Sequence, residues 1–334
     1  MKYQKTKIIA EIGVNHNGNL SILKKYFSEL SKLDIDFIKL QLYKSEYLVT
    51  PDSKSATYAR KINSKQIDML KKYELNKQHL NYLMKNKNKF YPKIKILFTP
   101  FEEESFKYLV SNKFKIIKIA SSDLTTYPYL KEISNYKLKI ILSTGMSNHK
   151  EIKEAIKILT SKNKIKENDI ALLYCVSAYP TSLEEINLNN LVLLKRKFKN
   201  HPIGLSDHTI SNLTGALALN YNARYIEKHV TLDKSMIGPD HKSSLNINEF
   251  RDYVNNIREA EKILFSNSKS TEMKNKKFVR KYLVAKTKIL KNENFTKKNL
   301  TYMRCSFGKV ESKFFDDYLK KTSKRSYEKY ESIE

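Results

Sequence analysis

The chain is 334 residues long and carries 63 Lys and Arg against 35 Asp and Glu, a formal charge of +28. Its length leaves room for a barrel of about 250 residues and a small appendage, while the lack of any apolar run of about 18 residues excludes a spanning helix. The basic start has no leader-like apolar segment, so a cytoplasmic protein without membrane contact is expected.

The first apolar run, KIIAEIGV from Lys7 to Val14, ends in Asn-His-Asn-Gly, a turn signal that opens a helix. FIKLQLY follows at Phe37, KIKILFTP at Lys93, KIIKIASS at Lys115 and KIILSTGM at Lys139. ALLYCVSAYP at Ala171, IGLSDH at Ile203 and ARYIEKHVTL at Ala223 complete the series. Between them lie helical patterns such as Glu103 to Asn112, His149 to Leu159 and Glu184 to Phe198. Eight strand-helix units predict an α/β fold, a closed (β/α)8 TIM barrel rather than an open sheet. The lysines are spread along every helical stretch and mixed with glutamate at helical spacing, the pattern of a solvated face, so no nucleic acid is expected as partner. Cys175 and Cys305 are too far apart in the chain to suggest a disulfide framework or a cysteine metal site. Only 7 glycines are present, and Asn222 and Asn292 are expected to take left-handed turn positions in their place.

In such a barrel the site gathers at the carboxyl ends of the strands, and polar residues crowd that end of each run. Glu11, Asn15 and His16 cap the first, Lys39 and Gln41 interrupt the second, Thr99 ends the third, and Lys118 and Ser121 the fourth. Ser143 and Thr144 end the fifth, Ser177 and Tyr179 the sixth, Ser206 and His208 the seventh, and Glu227, Lys228 and His229 the eighth. His208 and His229 close neighbouring runs and are expected to share a divalent metal, since neutral imidazole suits zinc, manganese or iron. The alternative for each is a hydrogen-bonded structural histidine. Asp240 and His241 follow on a Gly-Pro loop that can reach back over the same mouth. A buried ammonium needs a counter-charge, so Lys39 and Lys118 either pair with an acid such as Glu11 or Glu227 or face an anion. With the hydroxyls of Thr99, Ser121, Ser143 and Ser206 beside them, the preferred reading is a cradle for a phosphate plus a carboxylate.

Asn246 to Phe265 reads as an Asn-capped amphipathic helix that closes the barrel. Ser266 to Lys277 is polar and nearly devoid of apolar residues, and reads as a linker. It separates a catalytic barrel over residues 1–265 from a small β-rich module over 278–334, which is expected to lean on a partner surface.

The stretches AEIGVNHNG, IKLQLYKSEYLVT, FTPFEEES, KIASSDL, LSTGM, CVSAYP, SDHT, IEKHVTLDK and GPDHKSSL resemble the N-acetylneuraminate (sialic acid) synthase family. The resemblance covers nearly the whole chain, and LVAKTKILKNENFTKKNLTYMR is similar to that family's C-terminal antifreeze-like (SAF) domain. It implies a homodimer in which each small domain is swapped over the partner's site. It also implies condensation of phosphoenolpyruvate with an N-acylated mannosamine and water, giving a nonulosonic acid and phosphate by C–O cleavage. By the same resemblance His208 and His229 hold a divalent ion, Mn2+ or Mg2+, and Lys39, Gln41, Thr99, Lys118, Ser121, Ser143, Ser177 and Ser206 bind substrate. Glu11, Tyr179 and Asp240 handle the sugar and the proton transfers, and Arg304 enters the neighbour's site to hold the N-acyl group. The expected product is N-acetylneuraminate, from N-acetylmannosamine; the alternative sugar is 2,4-diacetamido-2,4,6-trideoxymannose, giving legionaminic acid. Two other classes are a Schiff-base aldolase built on Lys118 and a nucleic-acid-binding protein.

Overall fold

The eight predicted runs are strands: β1 (Lys7–Gly13), β2 (Phe37–Leu42), β3 (Lys95–Pro100), β4 (Ile116–Ile119), β5 (Lys139–Ser143), β6 (Ile170–Tyr174), β7 (Ile203–Asp207) and β8 (Tyr225–Thr231). This is a computed structural model, and it describes residues 5–54, 65–90, 93–266 and 270–334. All ladders between these strands are parallel and run in the order β3-β2-β1-β8-β7-β6-β5-β4, so the barrel's seam falls between β3 and β4, which pack side by side. Helices cover the outside, which explains why the strands read as near-continuous apolar runs. Among the described residues no helix is long and apolar enough to cross a membrane.

Strand periodicity decides what fills the barrel. Ile9, Phe37, Leu97, Ile141, Ala171 and Leu173 form an apolar plug, flanked by Ile116 and Tyr225. Two residues further along their strands, on the same face, come Glu11, Lys39, Thr99, Lys118, Ser143 and Glu227. A dry floor therefore carries a polar layer at the carboxyl end.

Asparagine does much of the local punctuation. Asn19 accepts from Ser21 and Ile22 N–H at the start of the helix Leu20–Leu30, and Asn148 forms a capping box with Glu151 on His149–Thr160. Asn246 does the same for Ile247–Phe265: its side chain accepts from Asn248 and Glu249 N–H, and its backbone N–H donates to Glu249 Oε2. Asn222 (φ 59) and Asn292 (φ 66) are left-handed, as expected where glycine is scarce. One helix differs from expectation: the segment read as helical from Glu184 starts only at Asn189. Asn187 Oδ1 accepts the Asn189 N–H at 3.0 Å, holding a turn that competes with helix upstream.

The chain falls into two compact units, Met1–Phe265 and Ser266–Glu334. The stretch read as a linker is instead helical over Ser270–Val279, while residues 267–269 lie outside the described residues. STEMKNKKFV has neither glycine nor proline, so nothing in it opposes helix even without an apolar stripe. After a short β9 (Leu245–Asn246), which pairs with β8 in the first unit, the second unit holds the antiparallel pair β10 (Lys281–Ala285) and β11 (Leu300–Arg304). Its own core is Leu283, Ala285, Ile289, Phe295, Leu300, Tyr327 and Ile333.

Candidate active site

The carboxyl ends of the strands open into a cavity of about 600 Å³, lined by every barrel residue to which the sequence assigns a catalytic, metal-binding or substrate-binding role. Arg304 lies in the second unit, opposite Lys281 at the end of β11, with its side chain exposed.

Both lysines sit in ion pairs. Lys39 Nζ is 2.9 Å from Glu11 Oε2 and 3.5 Å from Glu227 Oε1, and it donates to Thr99 Oγ1 at 3.1 Å. Lys118 Nζ donates to Glu227 Oε1 at 3.0 Å, and so does Ser206 Oγ at 3.1 Å. The two readings of these lysines, acid partner or anion cradle, therefore meet in one cluster, where Glu227 is the counter-charge to both. Burial pushes the Glu227 carboxyl up, but the ammonium groups of Lys118 and Lys39 outweigh it and hold it at about 2. Glu11 has one ammonium and a carboxylate neighbour, so burial and Glu227 together raise it despite Lys39.

His208 and His229 approach to 5.7 Å between ring centroids. His208 Nδ1 lies 2.7 Å from the Val176 carbonyl, which fixes its proton there and leaves Nε2 an unprotonated acceptor, 3.3 Å from Ser206 Oγ. His229 Nδ1 is buried without a hydrogen-bond partner, 4.0 Å from Asp240 Oδ2. Burial lowers His208 to about 4, and burial with His208 and Lys39 nearby takes His229 well below the ordinary range, so both rings are neutral at pH 7. Tyr179 covers them, 4.2 Å from the His208 ring and edge-on to His229 at 5.9 Å. Two neutral imidazoles, His229 with Nδ1 unpartnered and His208 with Nε2 free of its proton, fit a divalent ion. Among the described residues, however, no group of three or more His, Cys, Asp or Glu is arranged to hold one.

Two glycines let the remaining residues converge. A Cβ on Gly13, itself at φ +58, would come within 3.2 Å of Glu11 Oε1 and 3.4 Å of Asp240 Oδ2 and Gln41 Nε2. A Cβ on Gly145 would be 2.5 Å from Ser177 Oγ and 3.0 Å from Ser121 Oγ, and the Gly145 N–H donates to Ser121 at 3.0 Å. The loop after β8 returns to pair as β9, which brings Asp240 over the mouth; burial and then Glu11 raise its carboxyl to about 7.

Two strand-end histidines turn away. His16 accepts the Gly18 N–H at Nδ1 and packs in the interior at 5.6 Å from the His79 ring. His241, expected near the mouth, is buried between Thr231 Oγ1 at 2.7 Å and Asn17 Oδ1 at 3.1 Å, and supports the loop rather than the cavity. Two acids were missing from the predicted site. Glu227 was visible as a strand-end residue, in phase with His229. Asp123, in a turn beyond β4, lines the cavity with Oδ2 buried and unpartnered, and burial raises it to about 7.

The NeuB family model matches residues 29–269. The chain is 39% identical to N,N'-diacetyllegionaminic acid synthase of Campylobacter jejuni, over 99% of each chain. It is 33% identical to pseudaminic acid synthase of Helicobacter pylori, over 95% of this chain and 93% of that one. Among solved structures, the N-acetylneuraminic acid (sialic acid) synthetase of Leptospira borgpetersenii superposes with a TM-score of 0.70 at 28% identity, over 83% of this chain and 93% of that one.

Proposed function

The chain belongs to the NeuB family, and on that premise we propose that its cavity condenses phosphoenolpyruvate with an N-acylated hexosamine and water, giving a nonulosonic acid and phosphate. One observation carries this reading. Of the ten buried side-chain polar atoms without a well-directed hydrogen bond among the described residues, six border this cavity; Glu11 Oε2 still faces Lys39 Nζ at 2.9 Å, and the other five are Tyr73 OH, Asp123 Oδ2, Ser143 Oγ, Glu227 Oε2 and His229 Nδ1. Unsatisfied buried groups are costly and rare, so their convergence calls for a polar ligand that completes them.

Lys39 and Lys118 take the anionic groups of phosphoenolpyruvate and offset their charge, with Ser143, Ser121 and Thr99 supplying hydroxyls. Glu227 keeps both ammonium groups charged and in place before substrate arrives. His208 and His229 would hold a divalent ion such as Mn2+ or Mg2+, which supplies Lewis acidity toward the sugar's aldehyde oxygen. A bond forms between C3 of phosphoenolpyruvate and the sugar carbonyl carbon, water adds at C2, and the C2–O bond to phosphate breaks. Glu11 accepts the water's proton, while Asp240 and Asp123, poised near neutrality, hold or release protons at the sugar end and the β4 end of the cavity. Tyr179 screens the imidazoles from solvent.

The wall formed by Val14, Leu48, Val49, Met69, Leu70 and Phe101 is apolar. It favours the 6-methyl of 2,4-diacetamido-2,4,6-trideoxymannose over the 6-hydroxyl of N-acetylmannosamine, which would be desolvated there. Tyr73 OH, unpartnered in the same wall, suits the second acylamino group. Together with the 39% identity to the Campylobacter enzyme, this moves the preferred product from N-acetylneuraminate to legionaminic acid. We read the second unit as an antifreeze-like domain swapped within a homodimer, with exposed Arg304 serving the partner's site, and the reaction as cytoplasmic. Mixing R304A with H208A subunits tests the swap: hybrid dimers regain activity that neither parent has, and no regain refutes it.

Product mass spectra from phosphoenolpyruvate with each sugar test the reaction. Expected is turnover that favours the trideoxy sugar, stops with chelator and ignores borohydride. A borohydride-trapped adduct on Lys118 would establish the aldolase instead.

A further inference from the structure

The strand alternation that turns His208 and His229 inward turns their preceding neighbours, Asp207 and Lys228, outward into the sheet-helix interface. An apolar pair would serve packing there, as Leu205, Ile226 and Val230 do around it. Instead both side chains are charged, almost fully buried, and paired at 2.8 Å. Asp207 and Lys228 are also directly opposed in the β7–β8 ladder.

Their bonds are directed at the backbone that carries His208. Lys228 Nζ donates to the carbonyls of Thr209 and of Ser211, the latter at 3.1 Å, so it grips the two turns immediately after His208 from the neighbouring strand. Asp207 Oδ1 accepts the Thr209 N–H at 3.0 Å and Thr209 Oγ1 at 2.8 Å; Oδ2 accepts from Thr214 Oγ1 and from Tyr253 OH, the latter at 2.9 Å. Neither residue leaves a buried atom unpartnered. A buried pair of this kind contributes little net stability compared with apolar residues of similar size, so its value lies in the geometry it imposes.

We infer that the Lys228–Asp207 pair is a positioning clamp that sets the separation and orientation of the His208 and His229 imidazoles, acting from behind the strands and touching neither ring. The inference rests on reading those two histidines as the ligand pair for a divalent ion. It assigns Asp207, Lys228, Thr214 and Tyr253 to the support of that pair, a role that outer partners of metal-binding histidines commonly fill.

The test is equilibrium titration of the full chain with Co2+ alone, followed by calorimetry and by the visible ligand-field band, which reports ligand geometry as overall folding does not. In D207L/K228M the thermal midpoint is expected to stay near that of the unaltered protein while Co2+ affinity falls about 10- to 100-fold and the band changes. A folded D207L/K228M with unaltered affinity and band overturns the clamp. Should that variant fail to fold, T214V/Y253F removes two donors to Asp207 without touching β7 or β8, and the same criteria decide: weaker Co2+ binding with a changed band supports the clamp, and no change overturns it. H208A and H229A run alongside. If Co2+ binding survives in both, the two-imidazole reading fails and takes the clamp with it; if binding is lost there but untouched in D207L/K228M, only the clamp fails.

Discussion

Two clusters of buried charge stand back to back across β8, where Glu227 and Lys228 are adjacent and face opposite ways. The inward one, Glu11, Lys39, Lys118 and Glu227, faces an open cavity around which Glu227 Oε2, Asp123 Oδ2, Ser143 Oγ and His229 Nδ1 have no hydrogen-bond partner. The outward one, Asp207 and Lys228 with Thr209, Thr214 and Tyr253, satisfies every atom of its ion pair in a closed interface. Burial and charge are alike in both, so neither property alone separates a site from a support. What separates them is unfinished hydrogen bonding: the inward cluster has capacity left for a ligand, and the outward one has none.

The sharpest break in that contrast is on the inward side. H229A should lower phosphate release by about 1000-fold or more, the scale of several kcal/mol of lost metal assistance, while leaving the thermal midpoint nearly unchanged because its Nδ1 bonds to nothing; a steady-state assay with a melting curve checks both. On the outward side the pattern reverses. K228M leaves Asp207 buried without a counter-charge and should cost about 3–5 kcal/mol in urea unfolding. K118M should cost less, because Lys39 still faces Glu227 at 3.5 Å, yet abolish stabilisation by phosphoenolpyruvate.

Next in size is a pH effect. Burial raises Asp123 from 3.8 to about 7, so the folded state holds a proton that the unfolded chain releases. Its stabilising contribution is complete below about pH 4 and is lost as pH rises through about 7. Urea unfolding without substrate should therefore show D123N gaining on the parent protein by a few kcal/mol at about pH 8 and not at all at about pH 4. Asp240 shifts in the same direction, so some slope remains in D123N. The smallest change is S143A. Removing an unpartnered buried hydroxyl should be neutral or stabilise by up to about 1 kcal/mol, with weaker stabilisation by phosphoenolpyruvate as its counterpart. A clear destabilisation would show that Ser143 is structural after all.

Strand periodicity made most of this readable in advance. Once KIIAEIGV or ARYIEKHVTL is taken as a strand, Glu11, Glu227 and His229 must share the inner face, and Lys39 and Thr99 follow by the same count. Asp123 escaped because it sits in the turn Ser121–Asp123, where no repeat tells which way a side chain points. His16 and His241 looked like site residues by position, but the turn at Asn17 and Gly18, both at positive φ, and the bond from His241 to Thr231 direct them elsewhere. Those outcomes depend on contacts far apart in sequence. The outward role of Asp207 and Lys228 was open to inference from alternation, but their partner Tyr253 comes from a helix 46 residues beyond Asp207.

The central claim is most directly tested with phosphoenolpyruvate carrying 18O at its bridging oxygen, supplied with Mn2+ and 2,4-diacetamido-2,4,6-trideoxymannose to the dialysed protein. Expected is one inorganic phosphate per nonulosonic acid formed, with the label in the phosphate. Label retained in the keto acid, or no phosphate with any N-acylated hexosamine, would contradict it.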